Sequence, residues 1–286
     1  MPELPEVETI ARGLAKRVTG DAVDSVWLGQ KKEPLKSSAS EIAAALERSR
    51  ISAIRRVGKH IVFDLEREDA ARNSTRKKIR SAKNSERATK AEFIVHLGMT
   101  GRLQVCDSQA EVERHTHAIL KLRTGRELRF VDPRRFGRLS VAAGFSTVGI
   151  EPLEIDLASF IALFHGRKTP IKSALLNQKL LRGVGNIYAD ESLFRAGIRP
   201  RRRAATITRE QFAKLHAAVR EVLKEAIALG GSSISDYVDA DGEEGFFQLQ
   251  HRVYGREDEP CLVCKTAIKR VVIAGRSSHY CPKCQK

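Results

Sequence analysis

The segment PCLVCKTAIKRVVIAGRSSHYCPKCQK, residues 260–286, decides the fold at the C-terminal end of this chain. It contains two Cys-x-x-Cys pairs, Cys261 with Cys264 and Cys281 with Cys284, and sixteen residues separate the two pairs. This spacing is typical of a four-cysteine zinc site, in which each pair lies on a tight turn and the ion closes a small β-hairpin. Four thiolates fill the coordination shell of the ion, so we expect a structural zinc rather than a catalytic one.

The composition points to a polyanionic partner. The 286 residues include 51 Lys and Arg against 35 Asp and Glu, which gives a net charge of +16 and a sequence pI of about 9.9. A chain this basic is expected to bind nucleic acid first and an anionic membrane surface second. No apolar run reaches the length of a bilayer-spanning helix and no signal segment is recognisable, so we expect a cytoplasmic protein. Cysteines stay reduced in that compartment, and Cys106 is predicted to be a core residue without a partner.

The first three residues suggest covalent chemistry. Removal of Met1 would leave Pro2 as a terminal secondary amine, and terminal amines have a reference pKa of about 7.7–8.0. Such an amine can attack the anomeric carbon of a sugar and displace a base, with Glu3 as the nearby acid. A retained Met1 would block this chemistry. The alternative is that Pro2 only begins a helix, as proline does in many first helical turns.

Apolar periodicity divides the rest of the chain into a β-rich part and a helical part. A helix is predicted over 3–18, with Glu8 compensating the helix dipole, and a short helix over 40–48. The many short strands before residue 142 favour a β-sandwich or a barrel. The predicted strands are 23–28, 51–57, 60–65, 93–97, 103–106, 117–122, 127–131 and 138–141. The later helices are predicted over 156–164, 171–178, from Asn186 onward, and over 208–229, the last with a Thr208–Gln211 capping box.

Residues 66–91 stand out from the strands on either side. This stretch has nine basic residues, four acidic residues and Ile79 as its single large aliphatic residue. It cannot bury enough apolar surface to order itself, so we predict a flexible basic loop. A solvated linker is favoured over a DNA contact.

Three local motifs have both a functional and a structural interpretation. The glycine-rich turn before Asn186 is suited to binding a phosphate, or equally to capping a helix. Arg134 and Phe136 are candidates for a plug that fills DNA after a base is extruded, and Met99 is a candidate wedge. The alternative for Met99 and Phe136 is a place in the core. Lys59 is a phosphate anchor or an acid, or an ordinary solvated charge.

Seven blocks of sequence carry a resemblance to a known family. They are PELPEVETI, GKHIVFDL, HLGMTGRL, DPRRFGRL, GVGNIYADESLFRAGI, VYGREDEPC and CPKCQK. Together they make the chain similar to the bacterial formamidopyrimidine-DNA glycosylases, which remove oxidised purines, 8-oxoguanine above all. The resemblance implies an α+β multidomain fold. Its parts are an N-terminal β-sandwich with a catalytic N-terminal helix over 1–145, a helix-two-turns-helix domain over 150–245 and a zinc finger over 252–286.

The resemblance also implies catalytic roles. Pro2 resembles the amine nucleophile that forms a Schiff base, Glu3 the acid that assists sugar opening and base loss, and Glu6 a supporting carboxylate. Lys59 resembles the proton donor of the first elimination and a phosphate contact. Arg276 resembles the arginine that grips phosphate and serves the second elimination.

The implied DNA contacts lie in several parts of the chain. They are Met99, His115, Arg134, Arg135, Phe136, Arg167 and Asn186. Met99, Arg134 and Phe136 resemble the residues that fill the void left by a flipped nucleotide, with Arg134 pairing to the orphan cytosine. Asn186 resembles a phosphate ligand of the helix-two-turns-helix motif, whereas His115 and Arg167 lie in flanking sequence that matches more loosely.

The implied activity is that of a bifunctional glycosylase and abasic-site lyase in base-excision repair, which cuts the strand by β- and δ-elimination. The expected substrate is double-stranded DNA with 8-oxoguanine opposite cytosine. The expected cofactor is one structural zinc, without an organic cofactor. We expect a monomer in the bacterial cytoplasm, associated with the nucleoid and without a membrane partner.

Two other functions compete with this interpretation. The endonuclease VIII group shares the Pro-Glu start and prefers oxidised pyrimidines, but residues 4–7 together with Met99 and Phe136 favour the purine enzyme. A non-catalytic zinc-finger DNA-binding protein would explain the charge and the cysteines. Such a protein would not need Pro2, Glu3 or Lys59, and it would bind DNA without cleaving it.

Overall fold

The computed structural model describes residues 1–31, 33–67, 91–232 and 245–286. The chain forms two compact units. The first contains Met1–Pro2 and Glu6–Ser146, and the second contains Glu3–Pro5, Thr147–Ser232 and Phe246–Lys286. Among the helices of the described residues, none is long and apolar enough to cross a membrane.

The described residues of the first unit form two four-stranded antiparallel sheets and two helices. The sheets have the strand orders β1-β6-β7-β5 and β2-β3-β4-β8. The helices are α1, Leu4–Val18, whose first two residues belong to the second unit, and α2, Ala39–Leu46. The strands are β1 Val23–Leu28, β2 Ser49–Val57, β3 His60–Arg67, β4 Ala91–His96, β5 Arg102–Asp107, β6 Thr116–Leu122, β7 Arg126–Val131 and β8 Arg138–Ala142.

Both sheets share one apolar core with α1. The predicted helix face is buried, since Val7, Ile10, Leu14 and Val18 are each at most 2% exposed. These side chains pack with residues from the two sheets, such as Phe63 of β3. The β-sandwich prediction is confirmed, because alternating apolar residues of two sheets face one core.

Three predictions for the first unit need correction or comment. The flexible loop predicted for 66–91 is too long at both ends, because β3 runs to Arg67 and β4 begins at Ala91. Residues 68–90 lie outside the described part of the chain. Cys106 is half-buried on β5 rather than in the core, and burial raises the pKa of its thiol. Glu8 does more than compensate the dipole, because it forms an ion pair with Arg56 at 2.7 Å.

The second unit contains four α-helices and a β-hairpin. The helices are α3 Leu157–Phe164, α4 Ile171–Leu175, α5 Asn186–Arg195 and α6 Arg209–Ala228, and the hairpin strands are β9 Lys269–Ile273 and β10 Arg276–Tyr280. Two 3₁₀ turns, Ala204–Thr206 and Phe247–Gln250, complete the described elements. The predicted capping box of α6 is confirmed, with Thr208 and Gln211 bonded reciprocally.

Helix α4 is shorter than the predicted 171–178. Its continuation is replaced by a turn at Asn177, whose Oδ1 accepts the N–H of Lys179 at 3.0 Å. Asparagine side chains compete in this way with the helical backbone, so the helix ends before Asn177. The helices bury a core that includes Phe160, Phe164 and Phe212.

Candidate active site, DNA interface and metal centre

Glu3 lies in a cradle formed by the glycine-rich turn before α5. The Glu3 side chain is 4% exposed, and its Oε1 accepts the N–H of Ile187 at 3.2 Å. A Cβ atom on Gly185 would come within 2.2 Å of the Glu3 carboxyl carbon, so a larger residue there would force the Glu3 side chain to move. A helix N-terminus has free N–H groups that take acceptors, and at α5 one acceptor is the carboxyl group of Glu3.

This arrangement corrects the sequence-based interpretation of the turn. The phosphate alternative stays a prediction, although one N–H of the turn, that of Ile187, is bonded to Glu3. The capping alternative is wrong for Asn186, because Gly185 is the N-cap, without a side-chain cap, and Asn186 is the first helical residue. No pattern along the chain indicates the Glu3 contact, since Glu3 and Ile187 are distant in sequence.

The Asn186 side chain is directed toward the zinc-finger hairpin. Its Nδ2 lies 3.4 Å from the Oγ of Ser277, the residue after Arg276. Its Oδ1 is buried and has no hydrogen-bond partner among the described residues. Burial raises the pKa of the neighbouring Tyr254, and a hydrogen bond from Asn186 acts in the opposite direction. The Asn186 side chain therefore lies beside β10, and its Oδ1 accepts no hydrogen bond from the described residues.

Arg276 is exposed at the start of β10, and a buried ion pair anchors the strand behind it. Lys172 Nζ lies 2.7 Å from Asp190 Oδ1 and donates to the backbone oxygen of Ser277 at 2.6 Å. Asp190 also accepts the N–H of His279 at 2.9 Å. Burial lowers the pKa of Lys172, while the Asp190 charge acts in the opposite direction.

Glu191 anchors a second segment of the same unit. Its carboxylate is fully buried and accepts the backbone N–H groups of Arg252, Val253 and Tyr254 at 2.9–3.1 Å. Burial raises the pKa of Glu191, and these hydrogen bonds oppose the rise. Sequence reasoning missed Lys172, Asp190 and Glu191, because a charged residue in a helix is usually solvated and no spacing marks a buried one.

The other candidate catalytic residues lie in the first unit. Pro2 is half-buried, and Glu6 of α1 is 2% exposed. Lys59 lies in the turn between β2 and β3 and is 8% exposed, so it is not an ordinary solvated charge. A buried lysine and a buried glutamate need a specific environment, which fits functional groups better than surface charges.

The three plug candidates are exposed and lie on two turns of the first unit. Met99 is 42% exposed and Phe136 52% exposed, so the core alternative is wrong for both. The Arg134 guanidinium carbon lies 5.0 Å from the centre of the Phe136 ring. Arg135, with a φ of 57°, is exposed in the same turn. Exposed apolar side chains beside arginines suit insertion into a base stack.

The two more weakly matched DNA candidates are both exposed. His115 has a φ of 74°, and its backbone oxygen accepts the N–H of Asp132, which places it next to the Arg134 turn. Arg167 belongs to the second unit, where its Nε donates to Leu163 O. Its backbone oxygen accepts the N–H of Ala205 at 2.8 Å. Within the first unit, the structure therefore places His115 beside the Arg134 turn.

The four paired cysteines form one cluster in the second unit. All four sulfur atoms lie within 4.8 Å of one another, with Cys264 Sγ and Cys281 Sγ 3.4 Å apart and Cys261 Sγ and Cys284 Sγ 3.9 Å apart. Zinc–sulfur bonds of about 2.3 Å place the sulfurs of a tetrahedral site about 3.8 Å apart, so the cluster fits zinc.

The protonation of the thiols also fits a cation. Hydrogen bonds from Thr266 lower the pKa of Cys264 to about 6, which favours a thiolate. Burial raises the pKa of Cys281 and Cys284, so these two thiols need a cation to ionise.

The last two residues of the chain close the base of the cluster. Gln285 is fully buried; its Oε1 accepts the N–H of Cys281 and its Nε2 donates to Ile198 O, both at 2.8 Å. The backbone of Lys286 bonds to both Gly197 and Arg199.

Three family models match consecutive parts of the chain. Residues 1–139 match the formamidopyrimidine-DNA glycosylase N-terminal domain, residues 148–238 the H2TH domain of the same proteins, and residues 258–286 the zinc finger found in FPG and IleRS. The three matches follow the same order as the elements described above.

Individual proteins are similar over the full length. A formamidopyrimidine-DNA glycosylase of Solibacter usitatus is 44% identical over 290 residues, which cover 100% of each chain. A solved complex of Lactococcus lactis Fpg with DNA containing an abasic site has a TM-score of 0.84 at 30% identity and covers 99% of each chain. A solved complex of MutM with DNA containing carbocyclic 8-oxo-G has a TM-score of 0.85 at 30% identity and covers 100% of each chain.

Proposed function

Because this chain belongs to the formamidopyrimidine-DNA glycosylase family, we propose that it excises oxidised purines, 8-oxoguanine above all, from double-stranded DNA and then cuts the strand. The chain is a DNA glycosylase of base-excision repair, and abasic-site lyase activity is typical of its family. The lesion opposite cytosine, a monomeric state and a cytoplasmic location at the nucleoid are parts of the proposal.

The observation that carries the proposal is the buried carboxyl group of Glu3. It follows Pro2 directly in the sequence, is 4% exposed and is held at the N-terminus of α5. A non-catalytic DNA-binding protein has no need for a buried carboxylate next to its terminal amine. An enzyme that opens a sugar ring needs an acid at that place.

The reaction begins with extrusion of the damaged base. Extrusion costs a few kcal/mol, and a poorly stacked lesion costs less, which gives selectivity at this step. Met99, Arg134 and Phe136 fill the void, and Arg134 pairs with the orphaned cytosine. Their exposure on the first unit supports this role.

Base loss then proceeds through Pro2. Its amine attacks C1′ of the sugar, the bond from C1′ to the base breaks, and the base leaves with a proton. Glu3 protonates the ring oxygen, which opens the sugar and leaves an iminium between Pro2 and C1′. Glu6 supports this carboxylate.

Two eliminations follow from the iminium. In β-elimination a proton leaves C2′ to water, a double bond forms between C2′ and C3′, and the bond from C3′ to its phosphate oxygen breaks, with Lys59 as proton donor to the leaving phosphate. In δ-elimination a proton leaves C4′ to water, a double bond forms between C4′ and C5′, and the bond from C5′ to its phosphate oxygen breaks, with Arg276 holding the leaving phosphate. Phosphate contacts by Lys59, Asn186 and Arg276 make DNA affinity fall steeply with salt. Zinc, when bound, fixes the hairpin that carries Arg276 and takes no part in bond breaking.

Borohydride trapping tests the proposal. Purified protein that starts at Pro2 is mixed with a duplex that carries 8-oxoguanine opposite cytosine, and the adduct is mapped by mass spectrometry. We expect a covalent complex at Pro2 that Pro2→Gly abolishes while DNA binding persists. Bound DNA without an adduct would support the non-catalytic DNA-binding protein, and a preference for oxidised pyrimidines would support the endonuclease VIII group.

A further inference from the structure

The two turns that carry the plug residues are joined through one buried carboxylate. Asp132 is fully buried; its Oδ1 accepts the hydroxyl of Thr100 at 2.6 Å and its Oδ2 accepts the N–H of Gly137 at 2.7 Å. Thr100 follows Met99, and Gly137 follows Phe136. One side chain therefore bonds to the residue after each apolar plug candidate.

Thr100 also holds the backbone of Arg134. The hydroxyl that donates to Asp132 accepts the N–H of Arg134 at 3.3 Å. Thr100 is half-buried, whereas Met99, Arg134 and Phe136 are exposed. The hydroxyl thus links the Met99 turn, the Arg134 backbone and the carboxylate at the base of both turns.

Direct backbone packing keeps the two turns in one arrangement. Gly98 has a φ of +67°, and a Cβ atom there would come within 2.4 Å of the Phe136 carbonyl carbon. The N–H of Gly98 donates to His96 Nδ1 at 3.1 Å. Burial lowers the pKa of His96 to about 4, so its ring is neutral near pH 7 and keeps this acceptor.

We propose that Thr100 is a positioning residue that holds Met99, Arg134 and Phe136 as one rigid plug and thereby sets how well the enzyme discriminates the base opposite the lesion. The inference rests on the proposed function, because it assumes that these three side chains fill the void. An arginine reads a base by hydrogen bonds that need a fixed backbone. Without the hydroxyl, the Arg134 N–H and one Asp132 oxygen lose their partner.

The test compares excision of 8-oxoguanine opposite cytosine with excision opposite adenine. Thr100→Val keeps the side-chain shape and removes the hydroxyl with its two hydrogen bonds. We expect it to lower the ratio of the two kcat/KM values by at least about fivefold, the size expected for one of these bonds. Thr100→Ser keeps the hydroxyl and should retain the wild-type ratio.

A matched control lies in the same unit. Thr124 donates its hydroxyl to Asp21 Oδ2 at 2.5 Å, at the turn between β6 and β7. Thr124→Val removes the same kind of bond away from the plug, and it should leave the ratio unchanged. Equal changes of the ratio in Thr124→Val and Thr100→Val would overturn the inference, as would a wild-type ratio in Thr100→Val.

A second substrate separates positioning from folding. A single-stranded oligonucleotide with an abasic site has no orphaned base, so trapping on it does not depend on the plug. We expect Thr100→Val to lose more trapping rate on the abasic duplex than on the single strand. Equal loss on both would indicate a merely structural role.

Asp132→Asn serves as a second variant in case Thr100→Val does not fold. Its amide keeps only one acceptor oxygen, so either the Gly137 N–H or the Thr100 hydroxyl loses the acceptor that Asp132 supplies, and we expect the ratio to fall as well. If the wild-type protein forms no adduct on any substrate, the proposed function fails. If it forms one and both variants keep the wild-type ratio, only this inference fails.

Discussion

Gly185 leaves the space that the Glu3 carboxylate occupies. A methyl group there would lie 2.2–2.6 Å from the carboxylate atoms, and Glu3 would have to move away from the N-terminus of α5. The identity of one small residue on a distant turn thus sets the place of the proposed catalytic acid.

Gly185→Ala is therefore expected to lower borohydride trapping at Pro2 by at least about tenfold, since a misplaced catalytic group costs that much or more. DNA affinity should change less than trapping, because the substitution retains Lys59, Asn186 and Arg276, the proposed phosphate contacts. The control is Gly29→Ala, where a Cβ atom meets its nearest neighbour at an ordinary 3.6 Å. Wild-type trapping by Gly185→Ala would contradict the proposed role of Glu3.

Buried histidines make stability depend on pH. Burial lowers the pKa of His96, and likewise of His251, to about 4, from an ordinary value of 6.5. Between these values the unfolded chain binds more protons than the folded one, so stability falls as the pH is lowered from 6.5 toward 4.

The pH dependence of unfolding measures this effect. Each histidine contributes a slope of up to about 1.4 kcal/mol per pH unit in that window. His96→Asn keeps an acceptor for Gly98 without titrating, so its denaturation midpoint should fall less between pH 6.5 and 4.5. A decline as steep as that of the wild type would show that His96 is not the titrating group.

At the scale of secondary-structure elements, α5 organises the second unit. Its first turn binds Glu3, Asp190 pairs with Lys172, and Glu191 accepts three backbone N–H groups from residues 252–254. Hydrogen bonds to a charged acceptor are stronger than those between neutral groups, so Glu191 holds the backbone of residues 252–254 firmly against α5.

Replacement of Glu191 should lower the stability of the folded protein. Glu191→Ala leaves three N–H groups without their acceptor, and we expect it to lower the free energy of unfolding by at least about 2 kcal/mol. Glu191→Gln retains one acceptor oxygen and should lose less. Urea unfolding followed by circular dichroism measures both; equal stability of Glu191→Ala and the wild type would contradict this role.

Most elements could be predicted because their apolar period matches their burial. The α1 face at Val7, Ile10 and Leu14 is one example, and the strands agree within about two residues at each end. The end of α4 could not be predicted, because a side-chain bond within the Asn177 turn decides it. The Glu3 cradle could not be predicted either, since it joins residues far apart in sequence.

At the scale of the whole molecule, positive charge is unevenly distributed along the chain. Residues 157–189 and 260–286 contain neither Asp nor Glu, while they include Lys172, Arg167 and Arg276. Composition alone was enough to predict a polyanionic partner. It could not show that Lys172 is buried in an ion pair and unavailable to DNA.

Removal of the metal from the second unit is expected to weaken DNA binding. We expect about one zinc per chain, and a chelator that removes it should weaken DNA binding until zinc is restored. Cys106→Ser is the control, because Cys106 lies outside the cluster and should keep both the zinc and the affinity. Full DNA affinity after complete loss of zinc would contradict the structural role of the cluster.

The bonds made by Gln285 and Lys286 have a consequence for truncation of the chain after Cys284. A stop codon in place of the Gln285 codon would spare all four cysteines, yet it would delete the partner of the Cys281 N–H and both backbone bonds of Lys286. Loss of residues 285 and 286 is therefore expected to disturb the cluster even though every metal ligand remains. For the same reason, an affinity tag joined at this end needs a spacer that leaves Lys286 bonded to Gly197.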